Sequence, residues 1–178
     1  MDKIIIGFSR PTKWKPFAWA IMKICNTPYD HVYIRLYSET YERNIIYQAS
    51  KMIINFMGTE VFGSENIIIK EFEVLISDEN KKALMQFAID NAGKPYSWKE
   101  IVGLAWVKLC GFFGRKTENP FKEGTKEYVC SILACYILEN FANEDVPGDF
   151  QNADPKTLFD YLSKLPSTPD SGSGDEDT

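Results

Sequence analysis

A single histidine, four cysteines without a Cys-x-x-Cys pair, and no excess of basic residues describe this 178-residue chain by what it has little of. One imidazole cannot build a multi-histidine metal site, and Cys25, Cys110, Cys130 and Cys135 lack the paired spacing of a zinc or redox motif. With 20 Lys and Arg against 25 Asp and Glu, the composition argues against a nucleic-acid partner bound by bulk phosphate neutralisation. Long apolar runs are missing too: the nearest, Ile101 to Phe113, is broken by Lys108 and falls short of the roughly 18 residues of a membrane span. Met1-Asp2-Lys3 leads into Ile4 to Phe8 and then at once to Arg10 and Pro11, which does not fit a signal peptide. The expectation is a cytoplasmic protein with its cysteines kept as thiols.

What is present fits one domain over residues 1–165, long enough to bury roughly 70% of its extended surface without a metal or disulfide framework. Four of the acidic residues, Asp170, Asp175, Glu176 and Asp177, fall in a Ser/Gly/Pro-rich stretch, 166–178, which reads as a disordered acidic tail. No internal repeat is found.

Ile4 to Phe8 is short and β-branched, and reads as a buried strand. Pro16 to Ile24 reads as a helix with proline in its first turn, stopped near Asn26-Thr27-Pro28. His31 to Tyr37 alternates, with Val32, Ile34 and Leu36 on one face and His31, Tyr33, Arg35 and Tyr37 on the other. Asn44 to Ser50 and Asn66 to Ile76 are further strands, and Gly58 and Gly63 between them read as turns. From Ser77 onward the pattern becomes helical: a capped stretch with Ala83, Leu84, Phe87, Ala88 and Ala92 inward, closed by Gly93. Trp98 to Cys110 reads as a second helix, Gly111 to Glu127 as a loop, Tyr128 to Phe141 as a third helix, and Asp154-Pro155 opens a short last one. Strands first and helices after give an α+β fold with a small antiparallel sheet packed against helices.

Position separates the cysteines. Cys130 lies in the first turn of its predicted helix, where free N–H groups and the helix dipole favour a thiolate, while Cys25 ends a helix and Cys110 and Cys135 lie late in or inside theirs. A thiol at a helix start, paired with the only imidazole, His31, at the start of a strand, is the arrangement of a cysteine nucleophile with its base. Gln48, on the next strand, is the candidate third group, accepting a hydrogen bond from His31 Nδ1–H. Arg10, Lys13 and Lys15 interleave with Trp14, Phe17 and Trp19; the lysines read as solvated and the aromatics as packed under the sheet, with a lipid surface or anionic substrate as the secondary reading.

Six segments in order, Gly7-Phe8-Ser9-Arg10, Tyr29-Asp30-His31-Val32-Tyr33-Ile34, Ile46-Tyr47-Gln48-Ala49, Gly93-Lys94-Pro95-Tyr96, Tyr128-Val129-Cys130-Ser131-Ile132-Leu133 and Asp154-Pro155-Lys156-Thr157-Leu158, resemble the permuted branch of the NlpC-type papain-like cysteine hydrolases. That branch includes lecithin-retinol acyltransferase-like enzymes and many small bacterial and bacteriophage-encoded members. The resemblance covers about residues 4–160, with the His strand ahead of the Cys helix, the circularly permuted order. It implies a papain-like fold and a thiol protease or amidase, with Cys130 as nucleophile, His31 as base and Gln48 as orienting residue. N–H groups around Cys130 and Ser131 would hold the oxyanion. Peptide or amide substrates, cell-wall peptides among them, come first and acyl or lipid substrates second; no metal or organic cofactor is implied, and a phage-encoded member would work in the host cytoplasm. Two residues depart from the pattern: Tyr33 stands in the pocket where a small residue is common, and Gln48 where Glu or His is common. They motivate the competing reading of a binding or virion-associated module that has kept the fold without turnover.

Overall fold

Burial on both faces organises the sheet in the computed structural model, which describes residues 2–50, 53–95, 130–146 and 155–165. Among the described residues the elements run β1 (Asp2–Pro11), α1 (Pro16–Cys25), β2 (His31–Ser38), β3 (Arg43–Ser50), β4 (Ile53–Gly58), α2 (Thr59–Glu65), β5 (Asn66–Ile76), α3 (Asp78–Asn91), α4 (Cys130–Phe141) and α5 (Pro155–Leu162). The strands form one antiparallel sheet in the order β4-β3-β2-β1-β5, so the fold is α+β. The expected strands and helices over these residues are present. The predicted helix 98–110, the loop 111–127, Cys110, the helix start at Tyr128 and Val129, and the tail 166–178 lie outside the described residues.

One face of the sheet carries the main core. Ile4, Ile6 and Phe8 of β1, Val32, Ile34 and Leu36 of β2, and Tyr47 and Ala49 of β3 are buried with Leu133, Ala134, Ile137 and Leu138 of α4. Phe159 of α5 stacks on Tyr29 at 5.0 Å and meets Phe8 edge-on at 5.1 Å, anchoring the residues that lead into β2. Alternation in β2 thus sorts its side chains as the sequence predicts. The opposite face is covered as well: α2 lays Phe62 over Tyr33, ring centroids 4.5 Å apart, beside Ile46 and Met57.

Two elements were not legible as such. Gly58 ends β4 and caps α2, and Gly63 lies within α2, so neither is the simple turn that glycine suggests. The reason is tertiary: β4 is defined by pairing along β3, from Ile45 opposite Gly58 to Ser50 opposite Ile53, rather than by its own pattern. The buried side of α3 also differs from expectation. Ser77 caps the helix by accepting from the Asn80 N–H, and Gly93 follows its end with φ 83°. Yet Ala83 and Ala92 are exposed, while Lys81, Leu84, Ala88 and Asn91 are buried. Lys81 is tolerated there because its ammonium pairs with Asp2 and, at 3.3 Å, with Glu39.

Midway along β1, Gly7 stands between Tyr33 and Glu71 in register. With no side chain at Gly7, the Tyr33 ring crosses β1 and donates its hydroxyl to Glu71 Oε1 at 2.7 Å. Arg35 holds the other Glu71 oxygen at 2.6 Å.

Candidate active site

The start of β2 is fixed before any side chain is considered. Asn26 ends α1 in the left-handed region (φ 51°), the Thr27 N–H bonds back to Met22, and the Thr27 hydroxyl donates to the Tyr29 carbonyl at 2.7 Å. The Asp30 N–H then donates to the Ser9 carbonyl at 3.2 Å, and His31 lies opposite Ser9 in β1.

On its other side β2 does not pair with β3 here. The β2–β3 register runs from Ile34 opposite Tyr47 to Ser38 opposite Arg43 and stops, while β3 continues through Gln48, Ala49 and Ser50 paired only with β4. The two strands therefore part at the His31 end. The sulfur of Cys130, at the start of α4, lies there against β2: the backbone N–H groups of Val32, Ser131 and Cys130 itself bond to it. The nucleophile predicted from helix position thus touches the peptide unit that follows the predicted base.

The His31 ring bridges the gap between the strands: Nε2 lies 2.7 Å from Gln48 Oε1. The orientation of Gln48 is set by a chain of contacts. Asn55 Nδ2 donates to Ser50 Oγ at 3.1 Å, which turns Asn55 Oδ1 toward Gln48 Nε2 at 3.3 Å, which leaves Gln48 Oε1 for His31. An oxygen opposite Nε2 requires Nε2 to carry the proton, and the neutral ring then has its lone pair on Nδ1. This corrects the sequence expectation in one respect: Gln48 accepts from Nε2–H, not Nδ1–H. Asn55 was not foreseen, because β4 was not read as a strand.

Burial sets the charge state. It pushes the Cys130 thiol up to about 11, with the nearby Asp30 carboxylate adding to the rise and the three N–H donors opposing it. His31 is partly open to solvent, but its surroundings push the imidazole down to about 4; the Gln48 hydrogen bond opposes that shift and the Lys15 charge adds to it. Between these values the resting pair is a neutral thiol and a neutral imidazole. The ring lies toward α2, 6.5 Å from the Phe62 ring, whereas Cys130 packs with α4 in the main core, and among the described residues no hydrogen bond joins the sulfur to the ring, so proton transfer requires the imidazole to swing from the α2 side toward the sulfur.

Ser131 is fully buried at the start of α4. Tyr33, expected in the pocket, is on the α2 side with its hydroxyl committed to Glu71. Cys25 and Cys135 are buried thiols, Cys25 at the last residue of α1 and Cys135 inside α4. Asp30, in the segment just before His31, has no role assigned by the sequence. It holds a half-buried carboxyl whose Oδ1 has no partner among the described residues and which burial pushes up to about 6. Trp14 and Trp19 are 75% and 50% exposed, against the expectation that they pack under the sheet. Among the described residues no cluster of His, Cys, Asp and Glu could hold a metal ion, and no helix is long and apolar enough to cross a membrane. No protein-family model and no curated protein matches the chain.

Proposed function

We propose that the chain is a cysteine hydrolase of peptide or amide bonds, built on a circularly permuted papain-like fold of the NlpC type. The observation that carries this reading is the 2.7 Å hydrogen bond between His31 Nε2 and Gln48 Oε1. A buried amide oxygen on one ring nitrogen leaves the other as a base, in a ring next to the residue whose N–H touches the Cys130 sulfur.

The chemistry proceeds in two halves. His31 Nδ1 takes the Cys130 proton as the sulfur attacks the acyl carbon, and the oxyanion that forms is met by N–H groups at the start of α4. The C–N bond breaks as the imidazolium returns its proton to the leaving amine. Water then attacks the thioester with His31 again as base, releasing the acid and restoring the thiol. A neutral resting pair suits this course, since base and nucleophile are both in the required protonation state at neutral pH.

The test is to trap the first half. Incubation with an activated ester such as p-nitrophenyl acetate should give a burst of nitrophenol and an acetyl group on Cys130, seen by mass spectrometry of peptides. A burst that persists in Cys130→Ala, or an acetyl group found in the parent on a residue other than Cys130, would refute the proposal.

One observation favours a second reading, an acyl-transfer enzyme working on lipid substrates. The exposed Trp14 and Trp19 lie in a segment whose charged residues, Arg10, Lys13, Lys15 and Lys23, are all basic, a combination suited to an anionic lipid surface. Co-sedimentation with phosphatidylserine vesicles that is lost in a Trp14→Ala, Trp19→Ala double variant would support it; no sedimentation of the parent would end it.

A further inference from the structure

Among the described residues, two polar groups beside His31 are left without partners. Asp30 immediately precedes it, and Asp30 Oδ1 is buried without a hydrogen bond among the described residues. Ser9 lies opposite His31 in the β1–β2 register, and its hydroxyl is fully buried and also without a partner there. Buried polar atoms are nearly always paired, so an unpartnered carboxylate oxygen beside the proposed centre asks for a ligand that supplies a donor. Both orphan oxygens can accept, and a carboxylate accepts most strongly from a charged donor.

We propose that Asp30 makes the Cys130 centre select substrates that carry an ammonium or another cationic N–H donor next to the scissile carbonyl. This rests on the thiol-centre reading above and adds the substrate class to it. The carboxylate acts on Cys130 electrostatically, so it lies within range of a group bound at the sulfur. Among the described residues Lys15 is the cation that acts on Asp30, and its side chain is exposed and leaves Oδ1 unpaired. A cationic substrate would give that oxygen its missing partner. An anionic one would bring like charge against it in a site where burial weakens screening.

The experiment compares three small thiol reagents of different charge: 2-bromoethylamine, iodoacetamide and iodoacetate. Alkylation of Cys130 is followed at pH 7.5 by peptide mass spectrometry, each rate being divided by that reagent's rate with free cysteine. The wild type should favour the cationic reagent over the neutral one by about tenfold, and the neutral over the anionic by a similar factor, as expected for one charge a few ångströms away at intermediate dielectric. In Asp30→Asn the three normalised rates should fall within about twofold of one another. Because each comparison is made within one protein, a change in thiol reactivity caused by the substitution cancels. Equal normalised rates in the wild type overturn the proposal without recourse to any variant, and a charge order that persists in Asp30→Asn overturns the role of Asp30. Cys130 labelling that does not depend on His31 overturns the thiol-centre reading instead, which separates the two failures.

Discussion

Replacing Gly7 by alanine tests how the sheet accommodates the large residue two positions after His31. A Cβ at Gly7 would lie 2.1 Å from Tyr33 Cζ and 2.5 Å from both Cε1 and Oη. The clash is with the ring carbons of a fully buried side chain held against Phe62 on its other side. Tyr33 must therefore leave its site, which costs about 1–3 kcal/mol for overpacking. It also gives up its hydrogen bond to the Glu71 carboxylate, a further ~1.5–3 kcal/mol. A loss of about 3–5 kcal/mol in urea unfolding, read by tryptophan fluorescence, is expected, a large part of the ~5–15 kcal/mol of an ordinary domain. If the mechanism is the ring, the same substitution made in a Tyr33→Ala background should cost less than about 0.5 kcal/mol, a coupling of about 3 kcal/mol. Additivity of the two substitutions to within ~0.5 kcal/mol would refute the reasoning.

Three further outcomes follow from the site. Gln48→Leu should destabilise by ~1–3 kcal/mol in the same urea assay, because it leaves the His31 Nε2–H without its acceptor, and should slow ester turnover. Asn55→Ala keeps that acceptor but frees the amide to turn, so it should slow turnover while costing less stability than Gln48→Leu; equal turnover in Asn55→Ala and wild type would show that Asn55 does not orient Gln48. In acid, the two shifted groups pull in opposite directions. His31, lowered from 6.5 to about 4 by burial, binds its proton more readily when unfolded, so its contribution to stability is lost as pH falls from about 6.5 to 4. Asp30, raised from 3.8 to about 6, binds its proton more readily when folded, so its contribution is lost as pH rises across that window. Urea midpoints measured from pH 4 to 6.5 should therefore climb more steeply with pH in Asp30→Asn than in the wild type, and less steeply in His31→Ala; the reverse order would contradict both assignments.

The two residues of the proposed pair were legible because their types and positions are local facts. Cys130 opens a helix, His31 opens an alternating strand, and Gln48 lies one strand on. The ring nitrogen that meets Gln48 was not legible, since it depends on where β3 leaves β2 and on Asn55 in a strand defined by its partner. Asp30 carried no reading of its own, because only the fold buries one of its oxygens. Lys81 broke the helical pattern of α3 for the same kind of reason: its partners Asp2 and Glu39 come from distant segments, and no window of sequence contains all three. The room for a residue as large as Tyr33 likewise makes sense only with Gly7, which faces it from the neighbouring strand.

The central claim, that Cys130 is a nucleophile served by His31, is tested most directly by the order in which the four thiols react. Treating the folded protein with less than one equivalent of iodoacetamide at pH 6 and locating the label by mass spectrometry should find Cys130 modified first. Its rate should fall by roughly 100-fold in His31→Ala, the scale of a positioned general base. Labelling of Cys25, Cys110 or Cys135 ahead of Cys130, or an unchanged Cys130 rate in His31→Ala, would contradict the account.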